Sequence, residues 1–282
     1  MPLRSPHHPN IKHIISDLYS GINPDVIKNN EYLERIQRNC VEQTNPFTCY
    51  FTLLLGENPK ITWRHNTGRH FGMVNLQYED VFKLVHPAWL FAYVCYAKAM
   101  YEIAHKFSPV MTMDGAAAGS LIPMLHRSGE YFWYHQISVR VASDGDLVAA
   151  HLNYYHQSST YTSQLPNMPQ LTTSGEPNKM LTVELAKLAT EFLPDFLLQF
   201  LSETQVAFML HYREIIHIRS DDKITQGDLL ELIDGVDTID NLNKIKHRIK
   251  KSTMAHFKHP ALSSAHGLGV WLNKYFPIPK KA

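Results

Sequence analysis

Cationic side chains dominate the end of the chain. Residues 241–282 contain nine Lys or Arg and no Asp or Glu, whereas the 240 residues before them carry 18 basic and 26 acidic groups. An acidic body joined to a purely basic segment is typical of a protein that binds a polyanion or an acidic face of another protein. Composition alone does not choose between these partners, and a charged run is also compatible with an ordinary solvated helix.

The cations between positions 244 and 251 alternate with apolar residues at helical spacing, which predicts an amphipathic helix over Thr238–Ser252. Its apolar stripe would pack on a core, and its other face would suit the major groove of DNA. There, Asn pairs with adenine edges, Arg pairs with guanine edges and Lys neutralises phosphates. Because forty-two residues contain no acid, we favour nucleic acid as the partner. The candidate DNA-binding residues are Asn241, Lys244, Lys246, His247, Arg248, Lys250, Lys251 and Lys258.

Aromatic residues before position 157 indicate a second kind of site. They recur at helix and strand spacing, a pattern typical of a plain core but also of a cavity between a sheet and helices. The candidate ligand-pocket residues are Trp63, Phe82, Tyr93, Tyr96, Trp133 and Tyr154. Spacing alone assigns none of them a contact with a ligand.

Metal and catalytic chemistry have little support in the sequence. The chain has 17 histidines but no H-E-x-x-H or C-x-x-C pattern, so we predict no metal site. No cofactor is required, although one axial histidine is enough to hold haem, which leaves a haem-binding sensor as a third hypothesis. The chain also lacks G-x-S-x-G, G-x-x-x-x-G-K-[ST] and G-x-G-x-x-G, so we predict that it is not an enzyme.

Hydrophobic periodicity predicts the elements that position these residues. Helices are predicted at 11–20, 23–43 and 78–104, and strands at 48–55, 60–65, 120–126, 130–141 and 146–156. The Ser-, Thr- and Pro-rich stretch 157–179 contains few large apolar residues and therefore predicts a linker. After it the pattern is wholly helical. A hydrophobic share of 44% excludes global disorder.

Residues 46–157 resemble a PAS sensor domain. The resemblance lies in the strand order, in VHPAW (85–89) at the start of a long helix, and in IPMLHRSGEYFWYHQISVRV (122–141) followed by LVAAHLNYYH (147–156). The C-terminal part distantly resembles the LuxR-type helix-turn-helix of bacterial PAS-containing regulators, in VDTIDNLNKIKHRIKKS (236–252) and FKHPALSSAHGLGVWLNKYFPI (257–278). In that resemblance, residues 234–237 form the turn and Thr238 begins the recognition helix.

The predicted fold is therefore α+β: a PAS-like five-stranded antiparallel sheet with helices, followed by an all-α, helix-turn-helix-like domain. The predicted divisions are N-terminal helices at 1–45, a sensor domain at 46–157, a linker at 158–179 and an all-α DNA-binding domain at 180–282.

The predicted function is a one-component transcription regulator. Its sensor would bind a small molecule or a protein, and a homodimer, paired through the N-terminal helices, would bind duplex DNA. The alternative is an interaction adaptor whose basic segment binds an acidic protein.

We also predict a cytoplasmic protein with no membrane partner. The three cysteines form no framework of pairs, which indicates a reducing compartment. The start, MPLRSPHHPN, lacks the apolar stretch of a signal peptide, and no apolar run is long enough to span a bilayer.

Overall fold

The computed structural model describes residues 11–43, 45–107, 116–173, 176–218 and 238–278, together with positions 224, 225, 227, 229 and 230. The strands in this part of the chain are β1 (Thr48–Leu54), β2 (Lys60–His65), β3 (Ala117–Leu125), β4 (Tyr131–Asp144), β5 (Leu147–Thr160), β6 (Gln170–Thr173) and β7 (Glu176–Pro177). The α-helices are α1 (Ile11–Tyr19), α2 (Glu31–Glu42), α3 (Thr67–Phe71), α4 (Tyr78–Leu84), α5 (Pro87–Lys106), α6 (Lys179–Glu191), α7 (Leu193–Leu197), α8 (Glu203–Ile218), α9 (Ile239–Phe257) and α10 (Ala265–Tyr275).

The seven strands form one antiparallel sheet in the order β2-β1-β5-β4-β3-β6-β7. This overturns the predicted fold, a five-stranded PAS-like sheet followed by an all-α domain. All five predicted strands are present, but β6 and β7 extend the sheet beyond β3. They lie within 158–179, the segment predicted to be a linker.

Backbone pairing explains why the hydrophobic pattern of the sequence did not predict these two strands. Residues 117–119 of β3 pair with β6, and a ladder of backbone hydrogen bonds does not require large apolar side chains. Leu171 is the only residue of β6 that is fully buried. Gln170 beside it is exposed and the two Thr residues are half-buried, and their polar composition resembles that of a linker.

The chain folds into two compact units. In the described part of the chain, the sheet unit comprises 11–162 and 169–185, and the helical unit comprises 163–168 and 186–278. The division near the C-terminal end of the sheet unit falls inside α6, after Leu185.

The sheet is covered on both faces. On one face, the side chains of α2 pack against β1, β4 and β5, in a cluster that contains Leu33, Cys40, Tyr50 and Leu152. The opposite face lies against α4 and α5, and the residues that line a pocket of the sheet unit are found there. Alternation along each strand sends successive side chains to these two faces.

The predicted helix at 23–43 is broken in the structure. A 3₁₀ turn at Pro24–Ile27 precedes Asn29, whose φ of 53° is left-handed and ends the turn. Asn30 then caps α2, because its side-chain oxygen accepts a hydrogen bond from the backbone N–H of Leu33 at 2.9 Å. Asparagine suits both positions, since it tolerates the left-handed region and caps helix N-termini well.

The helical unit has an aromatic core. The ring centroids of Phe196 and Trp271 lie within 6.3 Å of each other and of those of Phe257 and Phe276, across α7, α9 and the C-terminal end of α10. The buried guanidinium of Arg213 on α8 donates to the carbonyl oxygen of Phe276 and fixes the residue that follows α10. The turn predicted at 234–237 lies outside the described residues.

Two further observations concern the chain as a whole. No helix among the described residues is both long and apolar enough to cross a membrane.

None of the three cysteines forms a disulfide, and all three are buried in the sheet unit. Burial raises the pKa of the Cys40 and Cys49 thiols, because the thiolate form loses hydration.

Candidate functional site

The sheet unit contains a pocket of about 90 Å³ between the sheet and helices α4 and α5, which we call the sheet pocket. A single water needs roughly 10–15 Å³ of such space, so the pocket has room for about six waters or for a small organic molecule. Its floor is made by alternate residues of β4 and β5, because every second side chain of a strand points to the same face. Its walls are the aromatic side chains of α4 and α5.

Hydrogen bonds connect the polar side chains of the floor. Gln136 Oε1 accepts from Tyr93 Oη at 2.8 Å and from Ser120 Oγ at 3.0 Å. Asn153 Oδ1 on β5 accepts a hydrogen bond at 2.5 Å from Ser138 Oγ on the neighbouring strand β4. Gln136 Nε2 lies 3.5 Å from Ser138 Oγ and joins the two pairs. Both amides are therefore held in fixed orientations.

His151 and two tyrosines line one side of the sheet pocket. The His151 ring stacks on Tyr101, with ring centroids 6.4 Å apart and planes 9° apart, and Tyr101 Oη is hydrogen-bonded to Tyr78 Oη at 2.8 Å. Burial lowers the pKa of His151 to about 4, because the charged ring would lose its hydration. Burial raises the pKa of Tyr101 and Tyr78 for the same reason. At neutral pH all three side chains are uncharged.

Three of the six predicted pocket residues line the sheet pocket, namely Phe82, Tyr93 and Tyr96. The other three do not. Trp63 and Tyr154 pack on the opposite face of the sheet, beside α2. Trp133 is buried, but its ring contacts Tyr161 instead of the pocket.

The polar floor was missed by the sequence analysis, which considered only aromatic residues. A usable signal was present, because polar residues alternate along β4 at Gln136, Ser138 and Arg140 and along β5 at His151 and Asn153. Polar residues at every second position of a buried strand indicate a polar lining or a solvated face. Only the cross-strand register, which pairs Ser138 with Asn153 and Arg140 with His151, brings the two series together.

The pocket does not fit the haem hypothesis. A volume of 90 Å³ is far too small for a porphyrin, even though His151 lies at its edge. Among the described residues, no group of three or more His, Cys, Asp or Glu side chains is arranged to hold a metal ion.

The helical unit carries the basic residues on α9. Thr238 caps this helix by accepting from the backbone N–H of Asn241 at 3.2 Å. Leu242, Ile249 and Phe257 are at most 2% exposed and bind α9 to the core, as the predicted stripe requires. Ile239, which was assigned to the same stripe, is 49% exposed.

Seven of the eight predicted DNA-binding residues are exposed, and we call them the basic face: Asn241, Lys244, His247, Arg248, Lys250, Lys251 and Lys258. Lys246 is half-buried, and burial lowers its pKa. Among the described residues, no carboxylate forms an ion pair with a cation of the basic face. These charges are therefore available to an external anion.

Neither a scan against protein-family models nor a search of curated proteins finds a match to this chain. The basic face and the sheet pocket are therefore the features of the chain that bear on its function.

Proposed function

We propose that this protein is a one-component transcription regulator, in which α9 binds duplex DNA and the sheet pocket binds a small molecule. The observation that carries the proposal is the division of α9 into a buried apolar stripe and a basic face whose cations pair with no carboxylate of the described residues. A helix of 19 residues is about 28 Å long and fits lengthwise into the major groove.

The side chains of the basic face suit both kinds of DNA contact. Lys250 and Lys251 carry compact ammonium groups that neutralise phosphates without reading sequence. Asn241 and Arg248 offer bidentate hydrogen bonding to adenine and guanine edges. Proteins that read DNA with one helix generally bind two half-sites, so the proposal extends to a homodimer. The proposed compartment is the cytoplasm.

The test is fluorescence anisotropy of the full-length protein with a labelled random-sequence duplex over a series of salt concentrations. Neutralising about five phosphates should give a slope of log affinity against log salt on the order of −4 to −5. Lys250→Ala and Lys251→Ala should each reduce the magnitude of that slope by about one. Lys60→Ala, at an exposed lysine of β2, is the matched control and should leave the slope unchanged.

Two results would contradict the proposal. Failure to bind any duplex at low salt would exclude DNA as the partner. If polyglutamate binds α9 while the duplex does not, the basic face binds an acidic protein, and the adaptor hypothesis is correct.

Once a specific site is known, Asn241→Ala and Arg248→Ala should each weaken binding to that site by roughly 1–3 kcal/mol and have little effect on binding to random DNA.

A further inference from the structure

The hydrogen-bonding capacity of the pocket floor is unevenly used. The side-chain oxygens of Gln136 and Asn153 already accept hydrogen bonds from Tyr93, Ser120 and Ser138. Asn153 Nδ2, in contrast, has no hydrogen-bond partner among the described residues, although Asn153 is only 5% exposed. A buried N–H₂ group without a partner destabilises the folded protein, so a ligand that accepts from it regains that free energy.

The orientation of the Asn153 amide is set by its neighbour. Because Ser138 Oγ donates to Asn153 Oδ1, the amide nitrogen is the polar atom of this pocket-lining side chain that still lacks a partner among the described residues. Gln136 Nε2 makes only a long contact of 3.5 Å, so it too can donate to a ligand. The floor therefore presents N–H donors, and an occupant must present an acceptor oxygen.

The charge in the sheet pocket favours the same kind of group. No Asp or Glu is found among the described residues that line it, and Arg140 contributes a positive charge. His151 is uncharged at neutral pH because burial lowers its pKa to about 4. A partly or fully negative oxygen is thus favoured beside Arg140, and none of the described residues that line the pocket would give an ammonium group a counter-charge.

The walls select for a flat apolar body. Tyr96, Tyr101 and Phe82 contribute ring surfaces opposite the polar floor, and such surfaces stack well on an aromatic ring. The volume of about 90 Å³ limits the ligand to a single small ring with one substituent.

We propose that the sheet pocket binds a small aromatic molecule that bears a carbonyl or carboxylate oxygen, and that this oxygen accepts a hydrogen bond from Asn153 Nδ2. This inference rests on the sensing half of the proposed function. The two can be separated, because ligand binding is measured without DNA and DNA binding without ligand.

The experiment uses the full-length protein and three probes of similar size: benzamide, benzoate and toluene. Dissociation constants are measured by ligand-observed NMR and checked by the shift in unfolding temperature. Benzamide or benzoate should bind at least tenfold more tightly than toluene, because toluene cannot satisfy Asn153. Tighter binding of benzamide assigns a neutral carbonyl ligand, and tighter binding of benzoate assigns a carboxylate held by Arg140.

Asn153→Leu removes the donor and keeps the size of the side chain. It should weaken binding of the oxygen-bearing probe by about tenfold, the effect of losing one hydrogen bond, and leave toluene unaffected. Thr52→Val is the matched control, since Thr52 is equally buried in the sheet but contacts Gln37 on the face opposite the pocket. If Asn153→Leu does not fold, Ala97→Leu, which fills the pocket from α5, should abolish binding of the probe.

Several results would overturn the inference. Toluene binding as tight as that of benzamide and benzoate would contradict it, and so would wild-type binding of the probe by Asn153→Leu. Unchanged binding by Ala97→Leu would place the probe elsewhere, and failure of all three probes to bind would exclude this ligand class. Loss of DNA binding with retained probe binding would contradict only the proposed function.

Discussion

His70 is a buried histidine whose surroundings oppose its protonation. It is 1% exposed, and its Nδ1 lies 3.2 Å from Tyr134 Oη. Burial lowers the pKa of His70 to about 4, and the nearby His126 and Arg69 add a smaller effect in the same direction. The folded protein therefore contains the neutral ring at pH values where an unfolded chain already binds a proton.

Acid should consequently destabilise the sheet unit between about pH 6.5 and pH 4. In that window the unfolded state takes up a proton at His70 that the folded state does not, at a cost on the order of 3 kcal/mol by pH 4. Urea unfolding measured across this range should show a shallower pH slope for His70→Gln than for wild type. His135→Gln, at an exposed histidine, is the control, and equal slopes for the two variants would contradict the prediction.

Trp133 provides a second prediction at the scale of a residue. The side chain is 4% exposed, and its ring meets Tyr161, whose hydroxyl accepts from Trp89 Nε1 at 2.6 Å. Trp133→Ala should lower the free energy of unfolding by roughly 3–5 kcal/mol, because it leaves a cavity in a packed aromatic cluster. Trp63→Ala, on the half-buried opposite face, should cost less, and a reversed order in urea unfolding would refute the assignment of faces.

Among the elements, α10 approaches its neighbours too closely for a side chain at two glycines. A Cβ at Gly267 would lie 1.9 Å from the carbonyl oxygen of Ala261, and one at Gly269 would lie 2.8 Å from Tyr212 Cδ1. The carbonyl oxygen of Ala261 belongs to the backbone and cannot move aside, whereas the side chain of Tyr212 can.

Gly269→Ala should therefore destabilise the helical unit by about 1–3 kcal/mol, and Gly267→Ala should destabilise it more. Gly21→Ala, where a Cβ would meet nothing within 4 Å, is the control and should have little effect. Urea unfolding followed by circular dichroism tests the order of the three variants. A smaller loss for Gly267→Ala than for Gly269→Ala would contradict the described packing of α10.

The same scale shows which elements sequence can predict. The helix α9 was predictable, because Leu242, Ile245 and Ile249 recur at helical spacing and are buried. The strands β1 to β5 were predictable as β-rich runs whose hairpin connections are short and contain Gly. β6 was not, because its stability comes from backbone pairing with β3 and from one buried side chain, Leu171. The polar alternation along β4 and β5 was visible in the sequence, but the pairing of the two series was not, because Ser138 and Asn153 meet only through the register of these strands.

For the whole molecule, the position of β6 and β7 determines where the chain can be divided. A fragment that ends at residue 157 would leave the backbone of Ala117–Gly119 unpaired at an open edge of the sheet. A fragment that ends at 185 keeps both strands and the start of α6. The 1–185 fragment should therefore unfold at higher urea concentration and aggregate less than the 1–157 fragment, as measured by urea titration and light scattering. Equal midpoints would indicate that β6 adds nothing to the sheet.

The placement of the cysteines gives the full-length chain an internal reporter. All three thiols are buried in the sheet unit, in α2, β1 and α5, and the helical unit has none. A thiol-specific reagent can modify them only after the surrounding structure opens, so the rate at which the chain gains mass measures opening of the sheet unit alone. A ligand in the sheet pocket would slow that labelling, whereas an effect of DNA on it would be a direct measure of energetic communication between the two units.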